Sequence, residues 1–381
     1  MIICFWLFTA IIVYALIGFP VLMFLLSRIF PRPVRCVSRD SGSLPTVSTI
    51  IAAYNEEKVI EARIQNALSL NYPADKMEIL VISDGSTDET PRLVGEFADR
   101  GVRLLHQPAR RGKTAAINRA VPHTSGEILL FADANTSYNS DAVRNLVRNF
   151  VDPQVGAVSG RKNILQEKGR SASEGEASYW EYESSLKSWE SRLGSIATAD
   201  GEIVAMRRAL FSPIPEKIVH DDMALTLSVI QRGYRVIYEP EAISSELASK
   251  SIGDEYQIKI RLAAGGFQIL SHFRKLFFPP KSLFAVMFIS HKLLRWAMPL
   301  WLAGLFLSNV FVAQPFYRVI LVAQILFYGV GVIGGVLPVG KGKQKIFYFP
   351  NYFCMVNLAA LVGFIRFARG TQGSAWRKAE R

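Results

Sequence analysis

Cysteine is scarce in this 381-residue chain, and its three copies (Cys4, Cys36, Cys354) make no spacing that a disulfide framework or a zinc site would need. Five scattered histidines (106, 123, 220, 272 and 291) add no zinc pattern, so any metal is expected to be a hard one held by oxygen. Charge is missing altogether from residues 1–27. That run exceeds the roughly 20 apolar residues a membrane-spanning helix needs. It also lacks the basic start, short apolar core and small-residue cleavage site of a signal peptide, so it reads as a retained anchor. No basic face interleaved with aromatics stands on the soluble part, which argues against a nucleic-acid partner.

The charge that is present is placed tellingly. Formal net charge is +12, and Arg28, Arg32, Arg35 and Arg39 directly follow the anchor. The positive-inside rule then puts the chain beyond them in the cytoplasm. From Pro45 to about Leu276 the composition is that of a globular domain; from Ser282 it turns apolar, with candidate spans near 296–313, 317–338 and 346–366. Basic residues border these segments (Arg274, Lys275, Lys281, Lys292, Arg295, then Lys341, Lys343, Lys345, then Arg366, Arg369, Arg377, Lys378, Arg381). Such clusters favour anionic membrane lipids by about 1 kcal/mol per residue. The expected organisation is an anchor at 1–30, a cytoplasmic domain at 45–276, an interfacial amphipathic segment at 277–295, a transmembrane region at 296–367 and a basic tail at 368–381. Localisation is expected at the cell membrane, multi-pass, with the domain and the tail cytoplasmic.

Within the domain, strand and helix alternate. TVSTIIAA (46–53), MEILVIS (77–83), VRLLH (102–106) and EILLFA (127–132) read as strands, each followed by a polar loop and a helical pattern. Parallel neighbours need crossover helices, so the fold class is α/β with a doubly wound, mostly parallel sheet flanked by transmembrane helices. Ligands of such sheets bind beyond the carboxyl ends of the strands. Those ends carry Tyr54-Asn55-Glu56, Asp84-Gly85-Ser86, Arg110-Arg111-Gly112-Lys113 and Asp133-Ala134-Asn135. Any one loop is as well explained by a turn or helix cap. Four at one rim point to a nucleotide-type site.

These residues resemble the family 2 glycosyltransferases of the nucleotide-diphosphosugar (GT-A) fold, especially their membrane-integrated branch related to cellulose, chitin and hyaluronan synthases. The resemblance covers roughly residues 45–275 and is carried by AAYNEE, SDGSTDET, GKTAAIN, FADAN and DDMALTLSVIQRGYRVIYEPEA, five motifs in family order. It implies that Ala53, Tyr54 and Glu56 lie against base and ribose, that Asp84 accepts a hydrogen bond from the base, and that Lys113 and Arg261 sit near the diphosphate. Asp133, with Asn135 where the motif has a second Asp, would hold Mg²⁺ or Mn²⁺, Asn135 offering a carbonyl oxygen without charge. Asp222 would be the general base and Asp221 a supporting acid in place of the usual Glu. Asp200, Gly201 and Glu202 would line the acceptor site.

The expected activity is inverting transfer of a sugar from a nucleotide-diphosphate sugar, UDP-linked, to a hydroxyl of a lipid-linked or polysaccharide acceptor at the cytoplasmic membrane face. Of the family's Gln/Arg-x-x-Arg-Trp only Arg261 survives, with Leu262 at the Trp position. Polymer extension would need a continuous channel, which three or four spans supply only with a homo-oligomer or a partner membrane protein. The competing reading is a catalytically lapsed nucleotide-binding scaffold or regulator of glycan synthesis, which the departures at Asn135, Asp221 and Leu262 would suit. Retention of Asp84, Asp133, Asp222 and Arg261 together favours the enzyme.

Overall fold

A computed structural model describes residues 1–36, 44–165, 171–248, 252–336 and 344–373. Arg39, Lys341, Lys343 and the basic run Arg377, Lys378, Arg381 lie outside these residues. Among the described residues eight strands, β1 (Val47–Ala53), β2 (Met77–Asp84), β3 (Val102–Gln107), β4 (Ile128–Asp133), β5 (Ser137–Tyr138), β6 (Val155–Leu165), β7 (Ile203–Arg207) and β8 (Arg235–Leu247), form one sheet. Their order is β3-β2-β1-β4-β7-β6-β8-β5.

The half read from the sequence, β3-β2-β1-β4, is parallel throughout. Beyond β4 the sheet is mixed: β7 runs antiparallel to β4 and β6, β6 pairs parallel with β8, and β5 pairs antiparallel with β8. Alternate residues of β1, β2 and β4 serve two cores. Ile51, Val81 and Leu130 belong to the core on one face, Ile50, Leu80 and Phe131 to that on the other. Both faces are therefore covered, as parallel sheets require. The connections leave β1 toward β2 on one side and return to β4 on the other, so a crevice opens at the carboxyl ends of β1 and β4.

Around this sheet lie helices long and apolar enough to cross a membrane: Ile2–Ile29, Pro315–Gly335 and Phe349–Ala368. They mark a membrane protein. The stretch expected as an interfacial segment followed by a span is a bent pair, Leu283–Trp296 and Met298–Val310, with 62° between them. The helix Gln344–Ala368 packs along the helix Ile252–His272, where Tyr352 Oη donates to Glu255 Oε1 (3.4 Å) and a Cβ on Gly363 would stand 2.7 Å from the Ile260 carbonyl. On the same helix Phe349, Leu358, Leu361 and Phe364 are exposed, although Phe364 also packs on Phe267.

Candidate active site

The carboxyl ends of β1, β2 and β4 deliver the predicted nucleotide-side residues to one cavity of about 1560 Å³. After β1, Asn55 turns in the left-handed region (φ 53°). Its amide donates to Ser86 Oγ (3.1 Å) and its side-chain oxygen accepts from the Thr87 amide (2.8 Å), which fixes the first loop on the second. Tyr54 lies under the Arg110 guanidinium, 3.6 Å from the ring centroid. Asp84 accepts from the Arg111 and Gly112 amides (3.0 and 2.7 Å) through Oδ2. Its other oxygen, Oδ1, is buried, makes no hydrogen bond and lies 3.8 Å from Arg119 Nη1. A buried carboxylate oxygen without a donor is costly, and a ligand N–H would relieve that cost.

Lys113 ties three elements together at the rim. It begins the helix Lys113–Ala120, and its ammonium lies 2.6 Å from Asp133 Oδ1, 3.5 Å from Asp221 Oδ2 and 3.4 Å from the Gly201 carbonyl. Burial disfavours that charge, but Asp133 and Asp221 outweigh it and hold Lys113 above the ordinary lysine range. Arg261, on the Ile252–His272 helix, is lowered from the ordinary guanidinium value by burial while Asp221, Asp133 and Asp222 act to raise it. The site is thus a compact alternation of carboxylates and cations.

Asp221 and Asp222 open the helix Asp221–Gln231, where its amino terminus favours negative charge. Burial, then repulsion from Asp222 and Asp133, raises Asp221 despite Lys113. Asp222 goes the other way: burial would raise it, but the His220 side chain, Lys113 and the Met223 amide (2.8 Å to Oδ1) lower it. A Cβ on Gly201 would come within 2.8 Å of Asp222 Cβ, so only glycine lets the 197–202 loop approach the second acid this closely.

The residues expected at an acceptor are bound differently. Asp200 forms a buried ion pair with Lys187, and Glu202 pairs with Lys162 (2.9 Å), which also binds Glu246. Asn135 donates its amide to Glu246 Oε2 (3.1 Å), which leaves its carbonyl oxygen as the end available to a cation. Among the described residues no group of three or more His, Cys, Asp or Glu side chains is arranged to hold a metal. Asp133 and Asn135 thus offer one carboxylate, whose Oδ1 is paired with Lys113, and one amide oxygen. Trp180, with Lys162 and Lys187 over its ring at 4.9 and 5.4 Å, and Trp296, packed on Gly266, also line the cavity. Nothing in their sequence spacing announced either.

Residues 48–214 match the family model of Glycosyl transferase family 2. The poly-β-1,6-N-acetyl-D-glucosamine synthase of Staphylococcus aureus (strain COL) is 28% identical over 235 residues, 60% of this chain and 56% of the relative. That of Staphylococcus epidermidis is 27% identical over 266 residues, 68% of this chain and 63% of the relative. The chain therefore spans about 60% of the length of these curated relatives. Among solved structures, the mannosyltransferase PcManGT of Pyrobaculum calidifontis, in complex with GDP-Man and Mn²⁺, superposes with a TM-score of 0.72 at 23% identity, covering 96% of this chain and 99% of that one. This likeness shows the fold.

Proposed function

Because residues 48–214 form a glycosyl transferase family 2 domain, we propose that the protein transfers a sugar, with inversion, from a nucleotide-diphosphate sugar to a hydroxyl of a lipid-linked or glycan acceptor at the cytoplasmic face of the membrane. The observation that carries this reading is the convergence on Lys113 of the β4 end, the 197–202 loop and the Asp221–Gln231 helix. The base and ribose would lie against Ala53, Tyr54 and Glu56. Asp84 Oδ1, which makes no hydrogen bond within the protein, would accept from the base, a UDP-linked donor being the expectation. Lys113 and Arg261 would face the diphosphate, and Asp222, 19% exposed at its side chain, would take the acceptor's proton.

Asp133 and Asn135 would hold Mg²⁺ or Mn²⁺. A divalent cation there would neutralise charge developing on the departing diphosphate. With one carboxylate and one amide to hold it, its affinity should depend on the donor's phosphates. Titrating Mn²⁺ calorimetrically should give binding on the order of tenfold tighter with nucleoside diphosphate than without it. Equal affinities would remove Asp133 and Asn135 from the ligand set.

A membrane-borne acceptor is supported by the cavity's extent. Its walls run from Asp84 to Tyr352, Phe353 and Val356 on the Phe349–Ala368 helix and include Leu16 of the first helix. Thr371–Gly373 line the same cavity, which supports the end of the Phe349–Ala368 helix lying on the domain's side of the membrane. Purified protein incubated with UDP- and GDP-linked sugars, with and without Mn²⁺, should release nucleoside diphosphate from one donor class. Product mass would then distinguish single addition from polymer extension. No release from any donor would overturn the proposal in favour of a nucleotide-binding scaffold.

A further inference from the structure

His220 stands at the start of the Asp221–Gln231 helix, where its side chain makes no capping hydrogen bond, and it has no role in the chemistry above. Its side chain is 13% exposed, and Gly265 on the neighbouring helix clears room for the ring: a Cβ there would come within 2.6 Å of His220 Cδ2. Both ring nitrogens have partners. Nε2 lies 2.9 Å from the Leu262 carbonyl oxygen, and Nδ1 lies 3.4 Å from Asp222 Oδ1. A carbonyl oxygen only accepts, so the single hydrogen of the neutral ring belongs on Nε2. The Nδ1 lone pair then faces the carboxylate, lone pair against lone pair. A proton placed between them would bond to both.

We propose that His220 and Asp222 form one proton-binding unit, and that this pair, with its gap empty, is the base for sugar transfer. The inference rests on the transferase reading. In the step itself the acceptor O–H bond breaks as its oxygen bonds to the anomeric carbon. The bond from that carbon to the diphosphate breaks, its electron pair leaving with the diphosphate. The proton goes to Asp222, is shared with Nδ1, and is lost to solvent before the next turnover. A proton already held in the gap at low pH blocks the first event. The other charged groups around the pair are Lys113, Asp133 and Asp221 at the rim and Arg261 from the Ile252–His272 helix, two cations against two carboxylates. Asp222 remains the carboxylate facing Nδ1.

The full-length protein in nanodiscs tests this in two ways. In His220→Asn the acid limb of the pH profile of kcat/KM should move down by about one pH unit or more, with nucleotide affinity unchanged. An unmoved limb overturns the pairing. Should that variant lose nucleotide binding, His220→Gln serves the same purpose. The wild-type ring can also be read directly. A ¹⁵N-histidine spectrum, with His220 assigned by its loss in the variant, should show the neutral ring protonated on Nε2. Protonation on Nδ1 would make the ring a fixed donor to Asp222 and overturn the proposal. Absence of turnover by the wild type on every donor would overturn the transferase reading and this one with it, whereas turnover with an unmoved limb or an Nδ1–H ring overturns the pairing alone.

Discussion

Asp222→Asn should lower sugar transfer by roughly 10²–10⁴-fold while leaving nucleotide affinity within a few-fold of the wild type. The amide keeps the size of the side chain and can still accept from the Met223 amide (2.8 Å), so the helix start is preserved. What it loses is the capacity to take a proton from a hydroxyl. Nucleotide affinity is spared because Asp84, Tyr54 and Lys113 sit at other strand ends. Asp221→Asn should be milder in rate and harsher in binding, since its carboxylate faces Lys113 (3.5 Å) and helps to place that cation. The sign of the shift at Asp222 adds a constraint. Lowered by its surroundings against the cost of burial, Asp222 itself stays ionised until well into acid. Transfer at wild-type rates by Asp222→Asn, measured as nucleoside diphosphate released with acceptor present, would remove Asp222 from the chemistry.

The parallel half of the sheet was legible because its signals are local. β1, β2, β3 and β4 are short apolar runs, each followed within a few residues by the loop that bears its polar side chains, and the structure places all four within a residue or so of the expected bounds. The mixed half was not, since β6 and β8 pair in parallel across some 80 residues of intervening chain and β7 slots between β4 and β6 from a third place. The helix Ser171–Leu193 escaped for a different reason. Its sequence, SASEGEASYWEYESSLKSWESRL, shows little apolar periodicity because several of its buried positions are ionic: Glu183, Lys187 and Glu190 are each at most 1% exposed. Binary patterning looks for apolar faces and passes over one built from ion pairs. Likewise the loop 200–202 was found, but the binding of Asp200 and Glu202 to Lys187 and Lys162 depends on partners from other elements. The pairing of His220 with Asp222 needed Leu262, 42 residues away, to fix the ring.

That ionic face carries the largest expected effect on stability. Glu183, 2% exposed at its side chain, accepts from Arg295 (2.6 Å) and Lys292 (3.0 Å) and lies 3.3 Å from His291 Nε2. His291 is fully buried and holds Glu190 on its other side (2.7 Å). The network joins the Ser171–Leu193 helix to the Leu283–Trp296 helix. Phe19 and Met23 of the first helix close the same corner against Leu186, Leu193 and Met287. In Glu183→Ala, Lys292 and Arg295 lose the carboxylate between them and are left beside His291 with little access to water. Removing one partner of a buried ion pair costs roughly 3–5 kcal/mol, because the remaining charge is neither solvated nor paired. The expected result is a clear fall in the midpoint of thermal unfolding, followed by tryptophan fluorescence in detergent, with Glu183→Gln falling less because its amide oxygen still accepts from Arg295. Exposed pairs offer the contrast: Arg92 with Glu89 and Glu96 is more than half exposed on all three side chains, and its removal should leave the midpoint near the wild-type value. Should Glu183→Ala melt with the wild type, the Ser171–Leu193 helix is held against the Leu283–Trp296 helix by its apolar corner alone, and the buried charges there are not what joins the two helices.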